Sequence, residues 1–207
     1  EELYTLRNIG SRLQGHPVAG TLPYVDVSTG SLGQGLSIGI GMAVGKKMKG
    51  DKSTVYVVLG DGELQEGQNW EAFMAAKKLG LDNIIAIIDH NGFQNDGALS
   101  EIMPLDPLED KLKSFGWHVQ RVNGHDINDL LKSYDMAKIA KGKPSVIIAE
   151  TVKGKGVWVM ERDRTKHNSA MKREEYVQAL LELGGKVSND FISESVGKIA
   201  ESKESLS

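Results

Sequence analysis

Two short apolar runs stand out in the central part of the chain. Residues 54–59 (TVYVVL) and 84–88 (IIAII) are rich in β-branched side chains and almost free of polar ones. Runs of this length and composition are typical of parallel strands that are covered on both faces of a sheet. Apolar side chains recur at helical spacing over residues 67–79, between the two runs. The pattern therefore predicts a β-α-β unit, whose right-handed crossover brings the two strands close together.

Helical and strand patterns also alternate in the rest of the chain. The patterns predict helices over residues 1–13, 36–48, 108–115, 127–140 and 172–183, and strands over 117–122 and 145–150. Such alternation is typical of an α/β fold with a doubly wound, mostly parallel sheet and helices on both faces. We assign residues 1–183 to one domain and residues 184–207 to a polar C-terminal tail. In the predicted helix 36–48, Gly39 and Gly41 lack side chains, and we expect both to pack closely against the sheet.

Composition limits the function classes. The 207 residues are 40% hydrophobic, which is enough for one large domain with a core. A net charge of −3 with mixed signs gives no pull toward nucleic acid or anionic lipid. The sequence contains no cysteine, no segment that resembles a signal peptide and no apolar run long enough to span a bilayer. We expect a cytoplasmic protein with neither a nucleic-acid nor a membrane partner.

Polar clusters follow both apolar runs. Residues 60–62 (GDG) follow the first, and residues 89–92 (DHNG) follow the second. The carboxyl ends of parallel strands form the edge at which open α/β sheets bind ligands. Asp61 and Asn91 are therefore expected to reach one oxygen-seeking cation, Mg²⁺ or Ca²⁺, which would keep sites open for phosphate oxygens. The alternative for Asp61 is a carboxylate that caps the following helix.

Longer strings around these residues resemble one family. GDGELQEG, IIDHNGFQNDG, STGSLGQGLSIGIGMA and KGKPSVIIAETVKGKG are similar to transketolase sequences. The resemblance covers roughly residues 3–183 and implies the thiamine-diphosphate-binding fold, with thiamine diphosphate and Mg²⁺ (or Ca²⁺ or Mn²⁺) as cofactors. The implied activity is the transfer of a two-carbon ketol unit from a ketose phosphate to an aldose phosphate, a reaction of the pentose phosphate pathway.

The resemblance also assigns the cofactor and metal residues. The metal ligands would be Asp61, the side-chain oxygen of Asn91 and the main-chain carbonyl of Phe93, where transketolases usually have Ile. Gly62 would give its amide to the diphosphate. The turn formed by Gly30, Ser31 and Leu32 would line the pocket beneath the two rings of thiamine, with the Gly30 carbonyl holding the pyrimidine amine.

Three further residues receive roles by resemblance. His16, in a GHP loop, and His167 would face the substrate as catalytic residues, and His167 would also contact the cofactor. The Gly and Pro that commonly follow this second histidine are replaced here, since the string reads KHNSAM. Glu66 would join an acidic network at a dimer interface. The alternatives are a surface loop for His16 and a favourable partner of the helix dipole for Glu66.

Parts of a whole transketolase are missing from the sequence. The chain begins without Met and lacks the GSGHPGG-like segment that transketolases carry upstream. It also lacks the second α/β module, which supplies the glutamate that contacts the pyrimidine ring. We therefore expect a fragment or, preferably, the N-terminal subunit of a split transketolase that acts with a companion C-terminal subunit in an α₂β₂ assembly. The alternatives are a subunit of a deoxyxylulose-phosphate synthase or of a 2-oxoacid dehydrogenase, and a non-catalytic binding module.

Overall fold

The computed structural model describes residues 2–162, 167 and 171–185. It groups the chain into two compact units. The first consists of Glu1–His90 and Leu105–Glu150, and the second of Asn91–Pro104 and Thr151–Ser207. The predicted tail lies outside the described residues from position 186 onward.

Six strands and seven α-helices form the described part. The strands are β1 (Val55–Gly60), β2 (Ile84–His90), β3 (Phe93–Gln94), β4 (Gly97–Ala98), β5 (His118–Asn123) and β6 (Ser145–Glu150). The helices are α1 (Gln34–Met48), α2 (Gly67–Lys78), α3 (Leu99–Ile102), α4 (Leu108–Ser114), α5 (Ile127–Ile139), α6 (Trp158–Arg162) and α7 (Arg173–Glu182). Two 3₁₀ turns, Glu2–Thr5 and Gly62–Gln65, complete the set.

The first unit contains a four-stranded parallel sheet with the order β1-β2-β6-β5. Side chains from α1, α2 and α4 pack in the core on one face, and α5 packs on the other. The predicted doubly wound α/β fold is therefore confirmed. The register places Gly60 beside Asp89, so that β1 and β2 end side by side at one edge of the sheet.

Side chains along the central strands point alternately into two core clusters, one on each face of the sheet. In β2, Ile84, Ala86 and Ile88 face the larger core cluster, whereas Ile85 and Ile87 face the cluster beneath α5. All five are buried, as expected for a strand between two layers of helices. Five of the six residues of β6 are also buried. The prediction of two-sided burial is thus correct for β2, and β6 is buried in the same way.

β1 differs from this prediction. It lies at the edge of the described sheet, where Tyr56 and Val58 expose 48% and 72% of their surfaces. Their neighbours Val55, Val57 and Leu59 are buried on the opposite face. The layer of α5 reaches β1 through an edge-to-face contact of Tyr134 with Tyr56, with ring centroids 5.9 Å apart, and Val58 stays uncovered. The expectation that this run is buried on both faces was therefore wrong.

The predicted helix over residues 1–13 was also wrong. A single 3₁₀ turn, Glu2–Thr5, is found in this segment, and Leu3 and Tyr4 are 81% and 90% exposed. Arg7 has a left-handed backbone with φ 65°, which does not continue a helix. A short helix needs an apolar face packed against the rest of the protein, and these side chains have none.

The second unit is built from short elements. β3 and β4 pair as an antiparallel hairpin, and the Leu99 N–H at the start of α3 donates to the Gly92 carbonyl at 2.9 Å. The N–H of Trp158 donates to a Glu182 oxygen at 2.7 Å, which joins α6 to α7. The predicted helix over 172–183 is confirmed as α7, whereas α6 was not predicted. Among the described helices, none is long and apolar enough to cross a membrane.

Gly39 and Gly41 of α1, which were expected to pack closely against the sheet, differ in their surroundings. A Cβ atom at Gly39 would lie 2.5 Å from Cγ2 of Val57, which is buried and stiff at χ1, whereas one at Gly41 would meet nothing within 4 Å. Close packing against the sheet is thus found at Gly39 but not at Gly41.

We expect Gly39→Ala to destabilise the protein by about 1–3 kcal/mol, because β1 must move to admit the methyl group. The control Gly41→Ala should stabilise it by about 0.5–1 kcal/mol, because alanine costs less backbone entropy in a helix. Free energies of unfolding in urea measure both changes. Effects of the same sign would contradict the difference in packing.

Candidate cofactor and metal site

The glycine-rich turn before α1 contacts the loop that carries His16. The Thr29 N–H donates to the Pro17 carbonyl at 3.2 Å, and the Ala19 N–H donates to Ser28 Oγ at 3.0 Å. Gly30, with φ +125°, lies against the imidazole, so that a Cβ atom there would fall 2.5 Å from Cγ of His16. The structure thus brings together two predicted site residues, both exposed to solvent.

A cavity of about 350 Å³ opens beside this turn. Gly30, Ser31 and Leu32 line it, together with Ile38 and Val58 and the carboxylate-bearing Glu63. Gly30 has no side chain to cover its main chain, and Leu32, Ile38 and Val58 supply apolar wall. Bare main chain beside apolar surface fits a flat aromatic ring with polar substituents. A cavity thus lies beside the predicted turn, and the role of Gly30, Ser31 and Leu32 in holding the thiamine rings stays a prediction.

Asp61 lies directly after β1 and is 2% exposed. Its N–H donates to the Asp89 carbonyl at 3.2 Å, which ties the end of β1 to β2. Its Oδ1 accepts the Gly62 N–H at 2.8 Å and caps the 3₁₀ turn Gly62–Gln65. The capping role is thus present, and in this state it engages the amide that was predicted to bind diphosphate. A carboxylate buried at this edge of a parallel sheet also has the chemistry of a cation ligand.

Asn91 and Phe93 lie in the second unit, at its first residue and in β3. The Phe93 N–H donates to Oδ1 of Asn91 at 3.0 Å. This Asx-type turn holds the amide oxygen of one predicted ligand next to the main chain of the other. The metal site predicted from the sequence combines these two residues with Asp61 of the first unit, and it stays a prediction.

His167 is exposed in the second unit, and its Nδ1 lies 3.1 Å from Nζ of Lys153. Lys153 belongs to the basic glycine turn 151–156, TVKGKG. Of the residues that depart from the family pattern after this histidine, Met171 is half-buried, and Asn168 and Ser169 lie outside the described part of the chain.

Glu66 is exposed at the N-cap position of α2. A carboxylate at the start of a helix interacts favourably with the helix dipole. The position therefore agrees with the interpretation of Glu66 as a favourable partner of the helix dipole. The predicted role at a dimer interface stays a prediction.

Charged side chains cluster at the carboxyl ends of β2, β5 and β6. Nδ1 of His90 lies 3.1 Å from a Glu150 oxygen, and Arg121 pairs with the other oxygen of the same carboxylate. Arg121 also lies 3.5 Å from Glu109. Lys113, 2.7 Å from Glu109, lowers the pKa of that carboxyl, and Arg121 lowers it further. This ion-pair cluster was not predicted.

Glu63 was not predicted as a site residue. Its Oε1 accepts the Gly33 N–H at 2.8 Å and its Oε2 accepts the Gly60 N–H at 3.0 Å. The carboxylate therefore connects the glycine-rich turn to the end of β1. A signal was available in the sequence, since Gly33 has no side chain to cap α1 and the first turn of that helix contains no acidic residue.

The fold and these residues define a cofactor-binding α/β domain, and comparison with known proteins identifies its family. The sequence profile described as "Transketolase, thiamine diphosphate binding domain" matches residues 1–204. The chain therefore belongs to the transketolase family, within its thiamine-diphosphate-binding domain.

The relatives include proteins named as transketolase subunits and proteins named as transketolases. The chain is 44% identical over 183 residues to the 6-deoxy-6-sulfo-D-fructose transketolase subunit SqwG of Clostridium sp. (strain MSTE9), covering 88% of this chain and 66% of that protein. It is 39% identical over 183 residues to an apulose-4-phosphate transketolase subunit of Phocaeicola vulgatus, covering 88% and 65%. Human transketolase is 39% identical over 183 residues, covering 88% of this chain and 29% of that one.

Solved transketolase structures share the fold. A transketolase variant from Pichia stipitis superimposes with a TM-score of 0.82 at 28% identity, covering 98% of this chain and 32% of that one. The Campylobacter jejuni transketolase gives a TM-score of 0.79 at 28% identity, covering 98% and 34%. The chain thus spans about two thirds of the subunit relatives and about a third of the whole transketolases.

We expect Gly30→Ala to weaken thiamine diphosphate binding by about tenfold or more, since it adds left-handed strain and displaces the His16 ring. The matched control is Gly20→Ala, which has φ +82° and open space around the new methyl group. Titration calorimetry with Mg²⁺ present measures both affinities. Equal losses in the two variants would show that the contact with His16 does not matter for binding.

Proposed function

We propose that the chain is the cofactor-binding part of a transketolase that consists of two kinds of subunit. In this proposal it transfers a two-carbon ketol unit from a ketose phosphate to an aldose phosphate. The observation that carries the proposal is the 44% identity to a protein that is itself named a transketolase subunit. The second subunit-type relative, at 39% identity, supports it independently.

The proposed metal is Mg²⁺, held by Asp61, Asn91 and the Phe93 carbonyl. The buried carboxylate of Asp61 supports this assignment, because burying a negative charge is costly and a bound cation offsets that cost. The hydrogen bond from Asp61 N–H to the Asp89 carbonyl also supports it, since Asp89 precedes Asn91 by two residues. Two side-chain oxygens and one carbonyl would leave sites on the ion open for phosphate oxygens.

Thiamine diphosphate supplies, when bound, the electron sink that allows the carbon–carbon bond of a ketose to break. The residues of this chain bind and orient it. Gly30, Ser31 and Leu32 hold the ring half, and Gly62 exchanges its bond to Asp61 Oδ1 for one to the diphosphate. His16 and His167 hold or move protons at substrate hydroxyls. The contact of His16 with Gly30 supports this role, because it places an imidazole beside the ring pocket.

A companion subunit is part of the proposal. It would supply the glutamate that contacts the pyrimidine ring, and the two chains would form an α₂β₂ assembly with Glu66 at an interface. Exposure of Glu66 supports this placement. We also propose a cytoplasmic location and, for the chemistry, sugar phosphates of the pentose phosphate type. The names of the relatives add 6-deoxy-6-sulfo-D-fructose and apulose 4-phosphate as donors to be tried.

The function is tested by activity with and without the companion. We expect the purified chain alone to give negligible ketol transfer, because the pyrimidine-binding module is on another subunit. Adding the co-purified companion should restore transfer from at least one donor among xylulose 5-phosphate and the two sugars above, with ribose 5-phosphate or glyceraldehyde 3-phosphate as acceptor. Turnover by the chain alone, or none by the pair with any donor, would contradict the proposal.

The metal assignment has its own test. Asp61→Asn keeps the shape and the cap to Gly62 but removes the charge, so the gain in thiamine diphosphate affinity produced by Mg²⁺ should fall at least about tenfold, as for the loss of a charged ligand. Asp135→Asn, on the exposed surface of α5, is the matched control. Calorimetric titration at several Mg²⁺ concentrations measures the dependence. An undiminished Mg²⁺ effect in Asp61→Asn would exclude Asp61 as a ligand.

A further inference from the structure

We propose that Glu63 is a positioning residue of the thiamine diphosphate site. Its carboxylate sets the position of the turn 30–33 relative to the end of β1. This inference rests on the proposed function, and it assigns a role to the one acidic residue of the GDGELQEG string that the family resemblance left without one.

The geometry of the carboxylate carries the inference. Each oxygen accepts one main-chain N–H, from Gly33 at 2.8 Å and from Gly60 at 3.0 Å. The two donors are 27 residues apart in the sequence, and both are glycines, so no side chain blocks the approach. Hydrogen bonds from N–H groups to an ionised carboxylate are shorter and stronger than those between neutral groups. One half-buried side chain thus joins two separate segments of the first unit.

The N–H of Gly33 requires a hydrogen-bond acceptor from outside helix α1. It is buried, has φ +83° and occupies the N-cap position of the 15-residue helix α1. N–H groups at the start of a helix have no partner within the helix, and the helix dipole favours a negative charge there. Because a glycine cannot cap with its own side chain, Glu63 supplies both the acceptor and the charge from outside the helix.

The segment that contains Glu63, residues 63–68, contacts the turn 30–33 at further points. Nε2 of Gln68 donates to the Leu32 carbonyl at 3.1 Å, and a Cβ atom at Gly33 would lie 2.8 Å from Nε2 of Gln68 and from Cβ of Glu66. Glu63 is itself held in place, since its carbonyl accepts Nδ2 of Asn69 at 2.7 Å. Asn69 is fully buried. The turn is therefore held by a segment that is anchored in the core.

This arrangement connects the two halves of the proposed cofactor site. The exposed part of the turn, residues 30–32, would hold the thiamine rings. Asp61 and Gly62, which would hold the metal and the diphosphate, lie in the chain between Gly60 and Glu63. Glu63 therefore sets the separation between the ring half and the diphosphate half. Its loss should weaken binding of the whole cofactor more than binding of inorganic pyrophosphate, which occupies the diphosphate half alone.

The experiment compares Glu63→Gln with the control Glu71→Gln, an exposed position on α2. Glutamine keeps the shape of the side chain, but it directs an NH₂ group at one of the two N–H donors. The complete protein is assembled with its companion subunit, and dissociation constants of thiamine diphosphate and of inorganic pyrophosphate are measured with Mg²⁺. Amide hydrogen exchange of the segment around Gly33 is measured in the same samples.

For Glu63→Gln we expect the dissociation constant of thiamine diphosphate to rise about tenfold or more, in line with the loss of hydrogen bonds to a charged group. That of pyrophosphate should change less than about threefold, and exchange around Gly33 should become faster. Glu71→Gln should change none of these quantities. A general loss of folding would weaken both ligands together, so the ratio of the two constants separates positioning from instability.

Other outcomes overturn the inference. Equal weakening of both ligands, or unchanged affinity for thiamine diphosphate in Glu63→Gln, would exclude the positioning role while leaving the proposed function intact. Unchanged exchange around Gly33 would show that the carboxylate does not hold the turn. A wild-type assembly that binds no thiamine diphosphate would overturn the proposed function itself, and the positioning role with it.

Discussion

The structure depends on the burial of β2 and β6 between two layers of helices. A strand covered on both faces must satisfy its main chain through neighbouring strands, and crossover helices make those neighbours parallel. The resulting register aligns Gly60 with Asp89 and Asp89 with Ala149. Three strands therefore end at nearly the same level. The burial of Asp61, and its hydrogen bond to the Asp89 carbonyl, follow from this alignment.

The pattern of apolar residues predicted the central strands correctly, but it did not predict the exposure of the edge strand β1 or the structure of residues 1–13. The segments that became β2 and β6 have uninterrupted apolar centres, IIAII and VIIA, which is a property of the sequence itself. The run that became β1 has the same composition, yet Tyr56 and Val58 are exposed, because the number of layers over a strand depends on the rest of the fold. The prediction of a helix over residues 1–13 was wrong for a related reason. Its apolar side chains have helical spacing, but a helix also needs a surface on which to pack.

The candidate site likewise contains residues that the sequence predicted and residues that it did not. Gly30 and Asp61 could be predicted because they lie within strings that resemble one family over many residues. Glu63 lies in the same string, but its partners Gly33 and Gly60 are main-chain N–H groups, which are present at nearly every position. The sequence shows that the start of α1 lacks a capping side chain and an acidic residue of its own, but it does not show which carboxylate, 30 residues away, supplies the acceptor. The contact of His90 with Glu150 was missed for the same reason, since it joins two strand ends across 60 positions.

The two glutamates of GDGELQEG illustrate how one short segment can serve two purposes. Glu63 lies inside the 3₁₀ turn Gly62–Gln65, whereas Glu66 follows it with an extended backbone, φ −69° and ψ 120°. This change of conformation separates two side chains that a continued 3₁₀ helix would place above one another. One carboxylate turns inward and satisfies two main-chain N–H groups, while the other stays in solvent at the start of α2. The inward residue is thereby committed to the architecture of this chain, whereas the outward one is not.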